Sequence, residues 1–362
     1  MTAHRFLLAW LAIVPFAQIG AQQVDLELLG ALNAWQTDAG SRLLARNGGD
    51  PGADADLYAF AVWRPAATLR LMAISETEGE SGHHASATTE LQLLSMRWWP
   101  HRALRIEAGR ILLPIGEFAP RRFATTNPLI GEPDTYAAEY PLGASIGGAA
   151  GPFDYMASVV SLPAVNQRYT PEPGFRMRPA VGLGLTAGPE LHVGAAVTHG
   201  SYLGDGVADQ LPAGTAWQQF NQTVATMDVR FSRGRFDSRG EAAWSWYQVP
   251  GVKDAVAGLG WYLEVRATLS PRWFVAARAE HNRYAFIQPV GPGVWIGSAT
   301  IQMNAEIGVG YRPGPATLLK ASVRADHWPV HQVASTAFPD GYQVAVQASF
   351  DADVLALLSR HP

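Results

Sequence analysis

The 362 residues carry 27 Lys and Arg against 31 Asp and Glu, and this formal net charge of −4 gives no general attraction to nucleic acid. The absence of cysteine excludes a disulfide framework, thiol chemistry and a lipoprotein anchor. No apolar run after residue 21 is long enough to cross a bilayer as a helix, whereas 36 Gly, 25 Pro and 12 Trp point to many turns and to belts of interfacial aromatics.

In chain order, Met1–Arg5 supplies a basic start, Phe6 to Phe16 an apolar run and Gly20–Ala21 a small-residue end. This is the layout of a cleaved secretory signal peptide over residues 1–21. From Val24 onward, alternating segments are separated by connections of two kinds. The short kind is built on Gly or Pro: Arg64–Ala67, Trp99–Arg102, Ala150–Phe153, Ala187–Glu190, Ser232–Arg235, Ser270–Trp273 and Arg312–Pro315. Between them lie longer polar stretches at 36–55, 76–88, 114–140, 162–177, 200–219, 248–258, 287–298 and 329–341, read as loops. Seven turns join fourteen strands, and one strand at each end brings the expectation to sixteen. Fourteen or eighteen would follow if the Gly-rich segment Leu142–Ala149 were not a strand, or if a long loop held a hairpin.

The last segment shows the pattern most plainly. Tyr342, Val344, Val346, Ala348 and Phe350 fall on one face, and Gln343, Ala345, Gln347 and Ser349 on the other. An apolar face with an aromatic at each end suits a strand crossing lipid between two interfaces. It resembles the closing strand of bacterial outer-membrane barrels, which makes Tyr342 and Phe350 candidate assembly signals. An even strand number, short turns on one side and long loops on the other define an all-β, antiparallel up-and-down transmembrane barrel over residues 22–350. Its sheet must close, because lipid offers no partners to an open edge. Residues 351–362 are then a periplasmic tail, disordered or a short helix. A soluble periplasmic β-sandwich is the alternative.

Six segments carry opposite charges two residues apart, on one face of a strand: Arg105 and Glu107, Asp228 and Arg230, Arg239 and Glu241, Glu264 and Arg266, Arg278 and Glu280, Arg324 and Asp326. The opposite faces are apolar and rich in Trp. This suits lipid outside and water inside. With Arg70, Glu306 and Lys320, the inward candidates number eight basic and seven acidic side chains, a nearly balanced pore lining. A barrel of this size leaves an aqueous channel unless something plugs it. Arg-rich short turns are placed to meet lipid phosphates, and the acidic loops are either simply solvated or bridged to lipopolysaccharide through divalent cations.

The stretch Glu107–Phe118, with its Gly109-Arg110 and Pro114-Ile115-Gly116, followed by Arg121-Arg122-Phe123 and Asn127–Gly131, resembles the passage into the third loop of phosphate-selective porin O/P-like barrels. The resemblance covers about 30 residues and the architecture. It implies an outer-membrane porin passing small polar solutes or ions, inserted by the outer-membrane assembly machinery, usually a homotrimer. It also implies a third loop folded into the pore, with Glu117, Arg121 and Arg122 as constriction residues. The lysine-rich lining of phosphate-selective members is absent, so phosphate does not carry over. No cofactor, metal or enzymatic activity is expected. His83-His84 beside Glu76, Glu78 and Glu80 lacks the spacing of a closed metal site. His199-Gly-Ser201 lacks a third member for a hydrolase triad. Another barrel role, as a lipid-modifying enzyme or a transporter of hydrophobic solutes, is the remaining alternative.

Overall fold

The structure, a computed structural model, describes residues 24–81, 85–112, 115–116, 118–135, 140–161 and 168–358. The signal peptide, His83, His84, Glu117 and residues 359–362 lie outside the described residues.

The short turns join β2 (Gly52–Ala66) to β3 (Leu69–Ser81), β4 (Ser86–His101) to β5 (Leu104–Arg110), and β6 (Leu142–Ala150) to β7 (Phe153–Val160). They likewise join β8 (Arg178–Ala187) to β9 (Leu191–Ser201), β10 (Asn221–Arg233) to β11 (Phe236–Tyr247), β12 (Val256–Thr268) to β13 (Trp273–Gly291), and β14 (Val294–Gly314) to β15 (Thr317–His327). The first strand, β1 (Val24–Thr37), pairs with the last, β18 (Gly341–Asp353), and sixteen antiparallel strands form one closed barrel. Closure excludes the β-sandwich. The small hairpin of β16 (Gln332–Val333) and β17 (Thr336–Ala337) lies in the final loop, outside the barrel sheet.

All seven expected strand pairs are joined by tight turns, but at three of them Pro65, Pro100 and Pro313 lie in the strand end and the turn falls at 67–68, 102–103 and 315–316. The Gly-rich segment is a strand, its side chains alternating between exposed and buried. Two expected loops are instead mostly strand. Residues 287–298 belong to β13 and β14, which meet in a tight turn at Gly291 and Gly293 and pair through Pro289 and Trp295. Gly and Pro there shape a strand end rather than a loop. Residues 76–81 belong to β3 and 86–88 to β4, because the acids Glu76, Glu78 and Glu80 alternate with Thr77 and Gly79 and point to the interior. The end of the barrel also moves. β18 continues three residues past Phe350, pairing Asp353 with Glu27, and the helix α1 (Val354–Leu358) follows it against β1.

The outward face is apolar around the barrel. Leu32, Leu57, Trp98, Val181, Met227, Trp246, Trp261, Leu263, Ile307, Val323 and Val346 are all exposed. In water such a surface would drive aggregation; lipid removes the cost. Tyr342 and Phe350 belong to it. The Phe350 ring lies over Gly30 of β1, filling the space a side chain would take and covering the backbone at the seam where the barrel closes. The same pairing recurs inside, with Trp35 over Gly52 and Phe274 over Gly310. The apolar core lies inside, toward the long-loop end. Tyr202 and Leu203 from the loop after β9 pack there against inward-facing Val224, Tyr247 and Ile287.

Candidate functional site in the barrel interior

The loop of residues 111–141 begins at the Gly-Arg motif. Gly109 has φ 123°, and any side chain there would collide with the Leu94 carbonyl, so only glycine lets β5 lie this close to β4 at its end. Arg110 then donates to the carbonyls of Leu91 and Tyr140, tying together the two ends of the loop. From there the loop enters the barrel and docks on the wall of β12–β15.

This docking consumes most of the charges on that wall. Arg278, with no exposed side-chain surface, reaches Glu280 at 2.8 Å, Glu306 at 2.8 Å and Glu264 at 3.4 Å. Glu264 also takes Arg121 of the loop at 2.7 Å. Glu306 accepts the backbone N–H groups of Ile130 and Gly131, and Glu280 that of Asp134. Lys320 donates to the carbonyls of Asn127 at 3.0 Å and Leu129 at 2.7 Å. Arg324 binds the Glu132 carbonyl and the Asp134 carboxylate. The wall thus satisfies loop backbone that would otherwise be stranded inside the barrel.

The remaining inward candidates fall at other heights. Asp326 accepts from Ser41 of the first long loop and from Trp328 Nε1. Toward the short-turn end, Glu107 pairs with Arg97, Arg70 sits 5.0 Å over the Trp99 ring, and Arg105 approaches Met156 Sδ. Arg239 pairs with Asp237, Glu241 accepts from the Tyr262 hydroxyl, Arg266 lies 5.8 Å from the Phe274 ring, and Asp228 is 3.7 Å from His192. Arg230 stands directly opposite Arg239 in the register. Both signs are present at this end. Arg121 and Arg122, by contrast, present no free charge to a constriction. Arg122 is buried, paired with Glu76 at 3.2 Å and stacked near Tyr58, Phe123 and Tyr140. Burial of two guanidiniums is tolerable only with such partners, so both act as anchors.

A second wall, β2–β4, separated from β15 by β18 and β1, holds acids of which Asp54, Glu76, Glu78 and Glu80 fall in stretches read as loop. Asp54 faces Glu80, Asp56 faces Glu78, and Glu76 faces Glu90 in the registers of β2–β4. Like charges placed directly opposite weaken a sheet. Arg46 reaches Asp54 at 2.9 Å and Glu80 at 3.4 Å, and Asn33 donates to Asp54 and Asp56. Among the described residues, no salt bridge is made by Asp56, Glu78 or Glu90. Between this wall and the docked loop an open cavity of about 330 Å³ is lined by Asn33, Asp54, Asp56, Glu78, Glu80 and Gly131, among others. The alternation of acids with Ala53, Ala55, Thr77 and Gly79 was the signal that could have found these strands.

No protein-family model matches the chain, and no curated protein is significantly similar to it in sequence. Its fold is nonetheless shared with solved barrels. The anion-selective porin from Comamonas acidovorans superposes with a TM-score of 0.62 at 11% identity, over 91% of this chain and 99% of that one. OmpT, an outer membrane protein of Vibrio cholerae, superposes in its trimer form with a TM-score of 0.58 at 11% identity, over 91% and 100%. The chain therefore has a porin-like barrel fold. The likeness to O/P-like porins rests on the architecture and on the passage from Glu107 to Gly131, with no family model behind it.

Proposed function

We propose that this protein is an outer-membrane porin, a passive, water-filled channel for small polar solutes and ions, narrowed by the docked loop 111–141 and favouring cations over anions. The observation that carries the reading is the division of the lumen. Charges on β12–β15 are spent on the loop, while the acids of β2–β4 face an open cavity with few counter-charges. Fixed charge that is not internally neutralised is what a passing ion meets, and here its sign is negative. The apolar exterior supports a place in the outer membrane, with lipids and lipopolysaccharide as surroundings and the outer-membrane assembly machinery as the route of insertion. Assembly as a homotrimer belongs to the same reading.

Catalysis has no part in it. His199 Nδ1 is 2.8 Å from the Thr223 hydroxyl, and Ser201 donates to the Trp217 carbonyl, so the two do not form a nucleophile and base. A polar lumen likewise does not suit a hydrophobic solute. Reconstitution into planar bilayers under a salt gradient tests the proposal. Stepwise conductance with a reversal potential on the cation side is expected. Folded, heat-modifiable protein that passes no current would refute the channel.

A further inference from the structure

We propose that Asp134 is the positioning residue of the constriction, a buried carboxylate that clamps the loop 111–141 to the barrel wall and to the neighbouring loop at once. This rests on the reading of that loop as the narrow part of the channel. Asp134 is 7% exposed. One of its oxygens accepts from Arg168, of the loop between β7 and β8, at 2.7 Å. The other accepts from Arg324 of β15 at 2.5 Å and from Asn304 of β14 at 3.4 Å. Its backbone N–H is held by Glu280 of β13 at 3.0 Å. Three separate segments of chain therefore meet at its side chain, and a fourth at its backbone N–H.

The other docking contacts differ in kind. Glu306 and Lys320 grip backbone groups of residues 127–131, and Arg121 and Arg122 hold the start of the loop. Asp134 closes the far end of that grip, three residues beyond Gly131, which with Ile130 forms one side of the cavity. Where Ile130 and Gly131 stand decides how wide the passage is. Without the Asp134 charge, Arg324 keeps only the Glu132 carbonyl and Arg168 loses its carboxylate. The far end of the segment then loses its ionic anchor and keeps only the weaker ties of the Asp134 N–H to Glu280, the Thr135 hydroxyl to Asn282 and the Glu132 carbonyl to Arg324.

Because the chain has no cysteine, Leu129→Cys introduces a single thiol at a site that is 1% exposed, on the inner side of the loop. Labelling of that variant with a membrane-impermeant maleimide is slow when the loop is docked. Adding Asp134→Asn is expected to speed labelling about tenfold or more by local opening. In bilayers the same change should convert a steady current into one with frequent fluctuations. Asp134→Glu, which retains the charge, should stay near the parent in both readouts. A cross-link from Thr135→Cys to Asn282→Cys, whose parent side chains approach to 3.4 Å, should quiet the current of the Asp134→Asn protein on oxidation. Unchanged labelling and unchanged current in a heat-modifiable Asp134→Asn barrel would overturn the proposal. Should that variant fail to fold, Arg168→Gln cuts only the loop-to-loop arm, and unchanged labelling in it overturns the clamp equally. Faster labelling without conductance in any variant would uphold the clamp and refute the channel.

Discussion

Two walls of the same barrel carry charge in opposite ways. On β12–β15, acids and bases interlock with each other and with the backbone of the docked loop, so that Arg278 alone engages three carboxylates. On β2–β4, acids stand opposite acids around an open cavity, with Arg46 and Arg122 as their counter-charges from the loops. The first arrangement is a structural network in which removing one partner strands the others. The second gains nothing for folding, since like charges in register oppose pairing. On the proposed channel reading, the comparison separates inward charges that hold the protein together from inward charges that act on what goes through it.

Substitutions break the comparison in a graded way. Arg278→Met should have the largest effect, because it leaves Glu264, Glu280 and Glu306 buried without their shared cation; a loss of about 3–5 kcal/mol is expected, read as a lower urea midpoint in detergent. Deleting residues from 351 onward should come next. It removes the strand residues that pair with Glu27, Leu28 and Leu29, so folding yield falls, whereas deletion from Val354 onward should fold normally. Phe350→Ala should be milder, exposing Gly30 at the seam and slowing assembly into vesicles without changing the folded barrel.

Acidification sharpens the contrast further. Burial disfavours the charged form of Asp134, but the guanidiniums of Arg324 and Arg168 outweigh it and hold this carboxyl below the usual carboxylate range. Its contribution is therefore fully present above the ordinary Asp value of about 4 and is lost as pH falls through the depressed value. Current through the native channel should stay quiet down to about pH 4 and begin to fluctuate below it, while Asp134→Asn should fluctuate at every pH.

The fold was largely legible. Gly and Pro marked all seven short turns, and alternation such as Tyr342–Phe350 marked the strands, because a half-lipid, half-water strand leaves a two-residue period. Where both neighbours are small or polar the period fades to the eye, as at Ala53–Ala55 and Glu76–Glu80, and those strand ends read as loop. Pro289 misled in the same way, although it sits at a strand end where a donor is dispensable. The inward direction of Glu264, Arg278, Glu306, Lys320 and Arg324 was readable. That they serve the loop was not, because the partners Asn127, Leu129 and Gly131 contribute backbone groups that carry no sequence signature. Arg121 and Arg122 looked like free constriction charges for the converse reason: Glu264 and Glu76, which bury them, lie far away in the chain.

The most direct test of the division is the reversal potential of the native channel beside that of the combined Asp54→Asn, Asp56→Asn, Glu78→Gln and Glu80→Gln variant, under one salt gradient at low ionic strength. The account predicts a native potential on the cation side that moves to or past zero in the variant, with the urea midpoint unchanged or raised. An unchanged potential in the variant, or an anion-side potential in the native protein, would contradict it.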